Sequence, residues 1–387
     1  MATSFSMLST FPPTQCGLAT FAKALVTEIA ATGAEVRVVR VVDAPEPPVP
    51  FVTHELVISD PRAARRAARA LDESDVAVVQ HEYGIFGGRD GSDVIELMDA
   101  VRVPIIVVLH TVLANPTLHQ HQVLDRVVKA ASIVITMTET ARRRLIHGWV
   151  VDPAKVQVIA HGAEDNRGDA DHSAKPMLTE SANPTVLTWG LLGNGKGIEW
   201  ALTAMADLRD LDPQPSYRVV GETHPRVLER EGEAYRSGLI AQTQELGIAS
   251  MVSFEGRYLD LPELLGIVRS ADVVLLPYDS RDQVTSGVLT EAVVAGKPVV
   301  STSFPHAVEL LSSGAGILVP QRDPAAIAAA LRRLLTEPGL AEQMGATARS
   351  LAPGLLWSAV ADQYIAVGDA LLAAQDTRVP VGALSVA

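Results

Sequence analysis

Hydrophobic positions along this chain come in short, β-branched runs separated by longer stretches with helical spacing. The pattern predicts a strand at SFSMLST, a helix at LATFAKALVTEIAATG and a strand at EVRVVRVV. Further strands are expected at 75–80, 103–109, 132–137 and 155–160, with helices such as Thr117–Ala131 and Thr138–His147 between them. Strands joined by helices of this length do not form hairpins. They predict parallel sheets covered on both faces.

Between 163 and 184, AEDNRGDADHSAKPMLTESANP, the periodicity is lost and polar residues dominate. Alternation restarts at TVLTW (185–189) and continues through YRVVG (217–221), MVSFEG (251–256), DVVLLP (272–277), KPVVST (297–302) and AGILVP (315–320). Helices at 323–350 and 355–374 come after these strands. The expected organisation is a doubly wound α/β domain over 1–165, a linker over 166–183, a second such domain over 184–354, and a C-terminal helix and tail over 355–387. Ligands of such sheets bind beyond the carboxyl ends of the strands, so a cleft between two such edges is expected.

Composition narrows the class. Of 387 residues, 48% are hydrophobic and 20% charged, which are globular proportions. No apolar run approaches the roughly 18 residues of a membrane span, and MATSFSMLSTFPP lacks the basic start of a secretion signal. The single cysteine, Cys16, excludes an intramolecular disulfide and a cysteine-rich zinc site. A reducing, cytoplasmic setting is expected. A net charge of −13 argues against nucleic acid as a partner.

Two loops carry candidate chemistry. WGLLGNGKGIEW (189–200) has the spacing of a triphosphatase P-loop, but Gly197 stands where that motif needs a metal-binding hydroxyl. It follows a strand and precedes a helix, so its backbone amides and Lys196 suit an anion. A plain glycine turn with a solvated lysine is the alternative. In RDQVTSGVLTEAVVAGKPVVST (281–302), the amides of Ser286 and Gly287 at a helix start form a second anion seat, with Gln283 and Glu291 eight residues apart. Alternatively, Thr285 or Ser286 serves only as an N-cap.

Together these loops, with STFPPTQCGLATF, QHEYGIFGG, VVLHTV, VIAHGAED and VVGETHP, resemble the retaining GT-B glycosyltransferases of family GT4, most closely their mannosyltransferase-like branch. The resemblance covers most of the chain. It implies two Rossmann-like domains facing a cleft, with the C-terminal helix returning to the first domain. The expected activity is hexosyl transfer, with mannose from GDP-mannose moved to a hydroxyl acceptor (glycan, lipid-linked or small molecule). A UDP- or ADP-sugar donor, or a non-catalytic nucleotide-sugar binder, are the alternatives. No cofactor beyond the nucleotide-sugar co-substrate, and no metal, is expected.

Residue roles are implied by the same resemblance. Lys196 contacts the donor diphosphate, Glu291 the ribose hydroxyls, and Gln283 the transferred sugar. The segment Thr285, Ser286, Gly287 and Val288 cradles sugar and phosphate. His110 contacts the donor sugar and Gly17 lies near the phosphates. Arg257 and Tyr258 stand at the nucleobase pocket. His81 and Glu82 are weaker candidates for acceptor or donor contacts, with core packing as the alternative. Two departures are visible. Leu191 occupies the place of a family arginine, with Arg257 or Arg281 as possible substitutes for its charge, and Gln283 replaces a glutamate. The implied mechanism has the acceptor attack on the leaving-group face while the departing phosphate takes its proton.

Other motifs weigh less. Asp169 and Asp171 spell a metal-binding DxD but lie in the polar linker. Asp210 and Asp212 read as a helix-ending turn, and His119 and His121 point to different sides of a helix. Cys16 reads as an inert small residue. Arg62, Arg65, Arg66 and Arg69 form a one-sided cationic stripe, read as a solvated face or at most a peripheral contact with the inner face of a membrane.

Overall fold

The computed structural model describes residues 2–167 and 183–376. Asp169, Asp171 and nearly all of the expected linker therefore lie outside the described residues, as does the tail after 376. The chain forms two compact units, Met1–Gly162 with Trp357–Ala387, and Ala163–Leu356.

In the first unit, seven strands build one sheet: β1 (Phe5–Ser9), β2 (Val36–Val42), β3 (Val52–Val57), β4 (Val76–His81), β5 (Ile105–Leu109), β6 (Ile133–Thr136) and β7 (Val156–Val158). Their order is β3-β2-β1-β4-β5-β6-β7 and neighbours pair in parallel. The second unit has β8 (Thr185–Trp189), β9 (Ser216–Val220), β10 (Val252–Glu255), β11 (Val273–Leu276), β12 (Val299–Thr302) and β13 (Gly316–Val319). Their order is β10-β9-β8-β11-β12-β13, again parallel. Each sheet thus reverses direction once, between β1 and β4 and between β8 and β11. Such a reversal opens a crevice at the carboxyl ends of the two strands.

The Val-rich central strands are buried on both faces, as in β1, β4, β5 and β11. Helix starts carry side-chain caps where the sequence supplies them. Thr117 and Gln120 form a reciprocal capping box, and Cys16 Sγ accepts the Ala19 amide. Cys16 is therefore a cap and not merely a small filler. The C-terminal helix Trp357–Asp376 packs along helix Gly17–Ala31 in the first unit. Trp357, Val360, Ala361 and Tyr364 enter the same core as Phe5, Phe21 and Leu25.

Two features depart from the sequence pattern. Strand β3, an edge strand reading Val-Thr-His-Glu-Leu-Val, was not expected. The arginine stripe is partly neutralised: Arg66 pairs with Asp60, Arg65 lies 3.7 Å from Glu96, and Arg62 sits at the N-cap, outside helix Ala63–Leu71. Its cationic face is weaker than the spacing suggested. As expected, Asp210 lies in the turn that ends helix Ile198–Ala206, where it accepts two hydrogen bonds from Arg332, at 2.7 and 2.9 Å. Among the described residues no helix is long and apolar enough to cross a membrane.

One buried charge organises the first unit's upper edge. Arg40 of β2 has a side chain only 1% exposed. It donates to Pro12 O (3.0 Å), Pro47 O (2.9 Å) and the Glu55 carboxylate. It thereby ties the loop before Gly17 to the 43–51 segment and to β3. Removing it strands one carboxylate and several carbonyls, so Arg40→Met should cost about 3–5 kcal/mol. Hydrogen exchange of the β1 and β2 amides reads that unit alone; unchanged protection would reject this role.

Candidate functional site

The second unit's crevice is assembled from the loops after β8 and β11. Gly190, at φ +113°, turns the chain out of β8, and residues 190–197 run to helix Ile198–Ala206. The loop lies directly on the segment after β11, where the Asp279 amide donates to Gly195 O at 2.9 Å. A Cβ added to Gly197 would fall 1.8 Å from the Pro277 carbonyl oxygen, and Gly197 holds φ +66°. A P-loop serine or threonine is excluded here by contact as well as by backbone conformation.

This apposition places Lys196. Its ammonium stands 4.5 Å from the centroid of the Tyr278 ring, a cation–π contact. Among the described residues no carboxylate forms an ion pair with it, and burial lowers its pKa to about 8. Tyr278 stacks on Phe304, centroids 5.5 Å apart, and its buried hydroxyl has no hydrogen-bond partner among the described residues. Thr302 Oγ1 donates to the Tyr278 carbonyl at 2.6 Å.

Glu291 lies on helix Gly287–Val294, and the Trp189 indole donates to its Oε2 at 3.0 Å. Burial pushes its carboxyl up to about 7; the indole bond opposes this and Glu164 adds to it. Gln283 Nε2 donates to Thr285 O at 3.1 Å. The Thr285 hydroxyl is buried without a hydrogen-bond partner among the described residues. The Ser286 expectation needs correction. Its backbone N–H donates to His306 Nδ1 at 2.9 Å and its hydroxyl caps Leu289 N, so Ser286 is the N-cap and its amide is occupied. The first-turn amides are those of Gly287 and Val288.

Arg257 needs a second correction. Its guanidinium pairs with Glu263 at 2.5 Å and lies 3.5 Å from Glu255, so its charge is already neutralised. It does not replace the arginine missing at Leu191. Tyr258 beside it is 46% exposed, and Arg281 is exposed. A different signal went unread. His224 caps helix Pro225–Glu231 and its backbone bonds to Leu192 O at 2.8 Å. Its ring pKa is lowered by burial, then by Arg226, Lys196 and Arg230. The ETHPR segment thus sets a second helix start against the glycine loop.

In the first unit, the crevice between β1 and β4 is bordered by Gly17, the first residue of its helix, and by the ends of β4 and β5. His110 Nε2 bonds Gln80 Oε1 at 2.6 Å. Its ring meets Phe21 edge-on at 5.0 Å, and burial, with His161 and His81 nearby, lowers its pKa to about 3. It is a neutral imidazole. His161 and Trp357 complete this aromatic cluster around Phe21. Neither ring nitrogen of His81 has a hydrogen-bond partner among the described residues. The ring is fully buried, packs edge-on to Tyr83 and is held neutral by burial. Glu82 accepts the Tyr83 amide at 2.8 Å and the Thr111 hydroxyl, which builds the strand end. His119 bonds Asp90 at 2.7 Å while His121 stacks on Trp149, so the two histidines do serve different sides. Among the described residues no group of three or more His, Cys, Asp or Glu could hold a metal ion.

The close contact and the buried carboxyl can each be tested. Gly197→Ser should unfold or markedly destabilise the second unit and gain no magnesium-dependent triphosphatase activity; a stable, active variant would reject the steric reading. A carboxyl raised above its unfolded value favours folding at low pH, and that contribution is withdrawn as pH rises past about 7. Glu291→Gln should therefore raise the melting temperature more at pH 8 than at pH 5.5. Equal shifts at both would reject the buried-charge penalty.

Comparison with known proteins matches residues 16–167 to "Glycosyltransferase Family 4" and residues 171–351 to "Glycosyl transferases group 1". A D-inositol 3-phosphate glycosyltransferase of Corynebacterium diphtheriae is 28% identical over 304 residues, 71% of this chain and 67% of that protein. Another, from Corynebacterium jeikeium, is 31% identical over 62% of this chain and 57% of its own length. The chain thus spans about two thirds or less of the curated relatives it matches. Among solved structures, sucrose-phosphate synthase from Thermosynechococcus elongatus aligns with TM-score 0.76 and 22% identity, over 96% of this chain and 100% of that one. Anabaena HepE in complex with UDP and glucose aligns with TM-score 0.74 and 18% identity, over 95% and 100%. At these identities the solved structures speak to the fold. The two family matches fall on the two halves of the chain that carry its two parallel sheets, and this chain belongs to the family 4 glycosyltransferases of GT-B architecture.

Proposed function

We propose that the protein is a retaining hexosyltransferase that moves mannose from GDP-mannose to a hydroxyl acceptor without a metal ion. The observation that carries a diphosphate donor is Lys196, held over Tyr278 at a helix start and, among the described residues, in no ion pair with a carboxylate; GDP and mannose rest on the resemblance of the sequence motifs. An ammonium so placed is poised for an anion, and a charge-assisted hydrogen bond contributes about 1.5–3 kcal/mol. As the bond to the sugar breaks, negative charge grows on the leaving diphosphate. Lys196 and the amides of Gly287 and Val288 stabilise that charge where it develops.

Glu291 serves the ribose hydroxyls and Gln283 the transferred sugar. His110, neutral at physiological pH, contacts the sugar as a hydrogen-bonding group. Gly17 approaches the phosphates, and Tyr258, with Arg257, borders the base. The acceptor hydroxyl attacks on the face from which the diphosphate leaves. The departing phosphate oxygen takes its proton, so no protein nucleophile or base is needed. The relatives named for D-inositol 3-phosphate support a small hydroxylated acceptor.

A second reading keeps the reaction and changes the donor to a UDP-sugar. It is favoured by the fold neighbour in complexes with UDP and UDP-glucose. A thermal-shift panel of GDP, UDP and ADP and their sugar conjugates, run in EDTA on wild type and Lys196→Ala, separates these readings. A ligand at 100 times its Kd stabilises by about 2.7 kcal/mol. GDP-mannose should shift the wild type most and Lys196→Ala little. Preference for UDP-sugars would transfer the assignment to the second reading. No shift until a metal is added would reject metal independence, and no shift under any condition would favour a non-catalytic cleft.

A further inference from the structure

The segment after β12 braces the donor site from below. Thr302 holds the Tyr278 carbonyl and Phe304 stacks on the Tyr278 ring that carries Lys196. Helix Pro305–Leu311 begins there, and its second residue, His306, is 5% exposed. His306 grips the turn 283–286 at both ends. Its backbone N–H donates to Gln283 O at 3.3 Å, and its Nδ1 accepts the Ser286 N–H at 2.9 Å. A ring nitrogen that accepts carries no proton, so the neutral ring holds its hydrogen on Nε2.

The turn held this way opens helix Gly287–Val294. With the Ser286 amide spent on His306 and its hydroxyl on Leu289 N, the N-cap geometry is fixed from two directions. The amides of Gly287 and Val288 then have one orientation. The Gln283 side chain is tied back into the same turn through Thr285 O. An apolar side chain of similar volume would fill the space at 306 but leave the buried Ser286 N–H without an acceptor.

We propose that His306 is a positioning residue for the donor diphosphate: it touches no ligand, but its Nδ1 sets the turn that presents the Gly287 and Val288 amides and Gln283 to phosphate and sugar. This rests on the donor-site reading above. The part of the ligand that depends on it is the terminal phosphate with its attached sugar, while the ribose side depends on Glu291 from further along the helix.

The test compares UDP, GDP and ADP with UMP, GMP and AMP by calorimetry on wild type, His306→Leu and His306→Asn. Wild type should gain affinity from monophosphate to diphosphate. His306→Leu should lose about ten-fold in diphosphate affinity with monophosphate affinity nearly unchanged, and His306→Asn, which offers an amide oxygen, should recover most of it. Equal losses for both ligand classes, or an asparagine variant no better than leucine, would overturn the positioning role. Wild type that binds no nucleotide would instead sink the donor-site reading and this role with it. Histidine nitrogen NMR on the wild type needs no variant to fold. An unprotonated Nδ1 is expected between pH 6 and 8, and a proton on Nδ1 would overturn the clamp.

Discussion

The crevice of the second unit depends on one close approach, that of the Gly197 backbone to the Pro277 carbonyl. No side chain fits between them. Because the two strands β8 and β11 flank the reversal of strand order, the loops that leave them must share the same small volume, and glycine lets them do so. The lysine one residue before Gly197 then projects over the tyrosine one residue after Pro277. Thr302, Phe304 and His306 hold that second loop in place from the next strand over. A cation, an aromatic face and a helix start are thus arranged by backbone contact before any ligand arrives.

The charges in this arrangement are uncomfortable in the free protein. Burial lowers the Lys196 ammonium to about 8 and raises the Glu291 carboxyl to about 7. Opposed shifts of this kind cluster at functional sites, and neither group helps the fold in the charged form. The protein tolerates this cost through its extensive valine- and leucine-rich cores. The first unit treats its histidines differently. His81, His110 and His161 are all held neutral, packed against aromatic rings or hydrogen-bonded to uncharged groups.

Much of this was legible in the sequence, because fully buried parallel strands write continuous apolar runs. TVLTW coincides with β8 in both bounds. Strand β3 was not legible, since an edge strand with Thr, His and Glu exposed or half-exposed has no such run. At the site, the glycine loop and its lysine were visible because their types are unusual for ordinary turns. The misplaced residues were those whose role depends on a partner far along the chain. Ser286 is spent on His306, twenty residues later, and Arg257 on Glu263, which sequence spacing did not link. Tyr278 escaped because a tyrosine after an apolar strand reads as its last core residue.

The path of the chain has a consequence for synthesis. The second unit is contiguous, from Ala163 to Leu356, and holds everything its own cores require. The first unit is not: Trp357, Val360, Ala361 and Tyr364 fill a core whose other walls were made hundreds of residues earlier. On the ribosome the later half can close first, while the earlier half keeps Phe5, Phe21 and Leu25 partly uncovered until the last helix emerges. Closure of the first unit therefore waits on helix Trp357–Asp376, and a chain cut short before Trp357 would leave the core around Phe5, Phe21 and Leu25 open and aggregation-prone beside a second unit whose own sequence is whole.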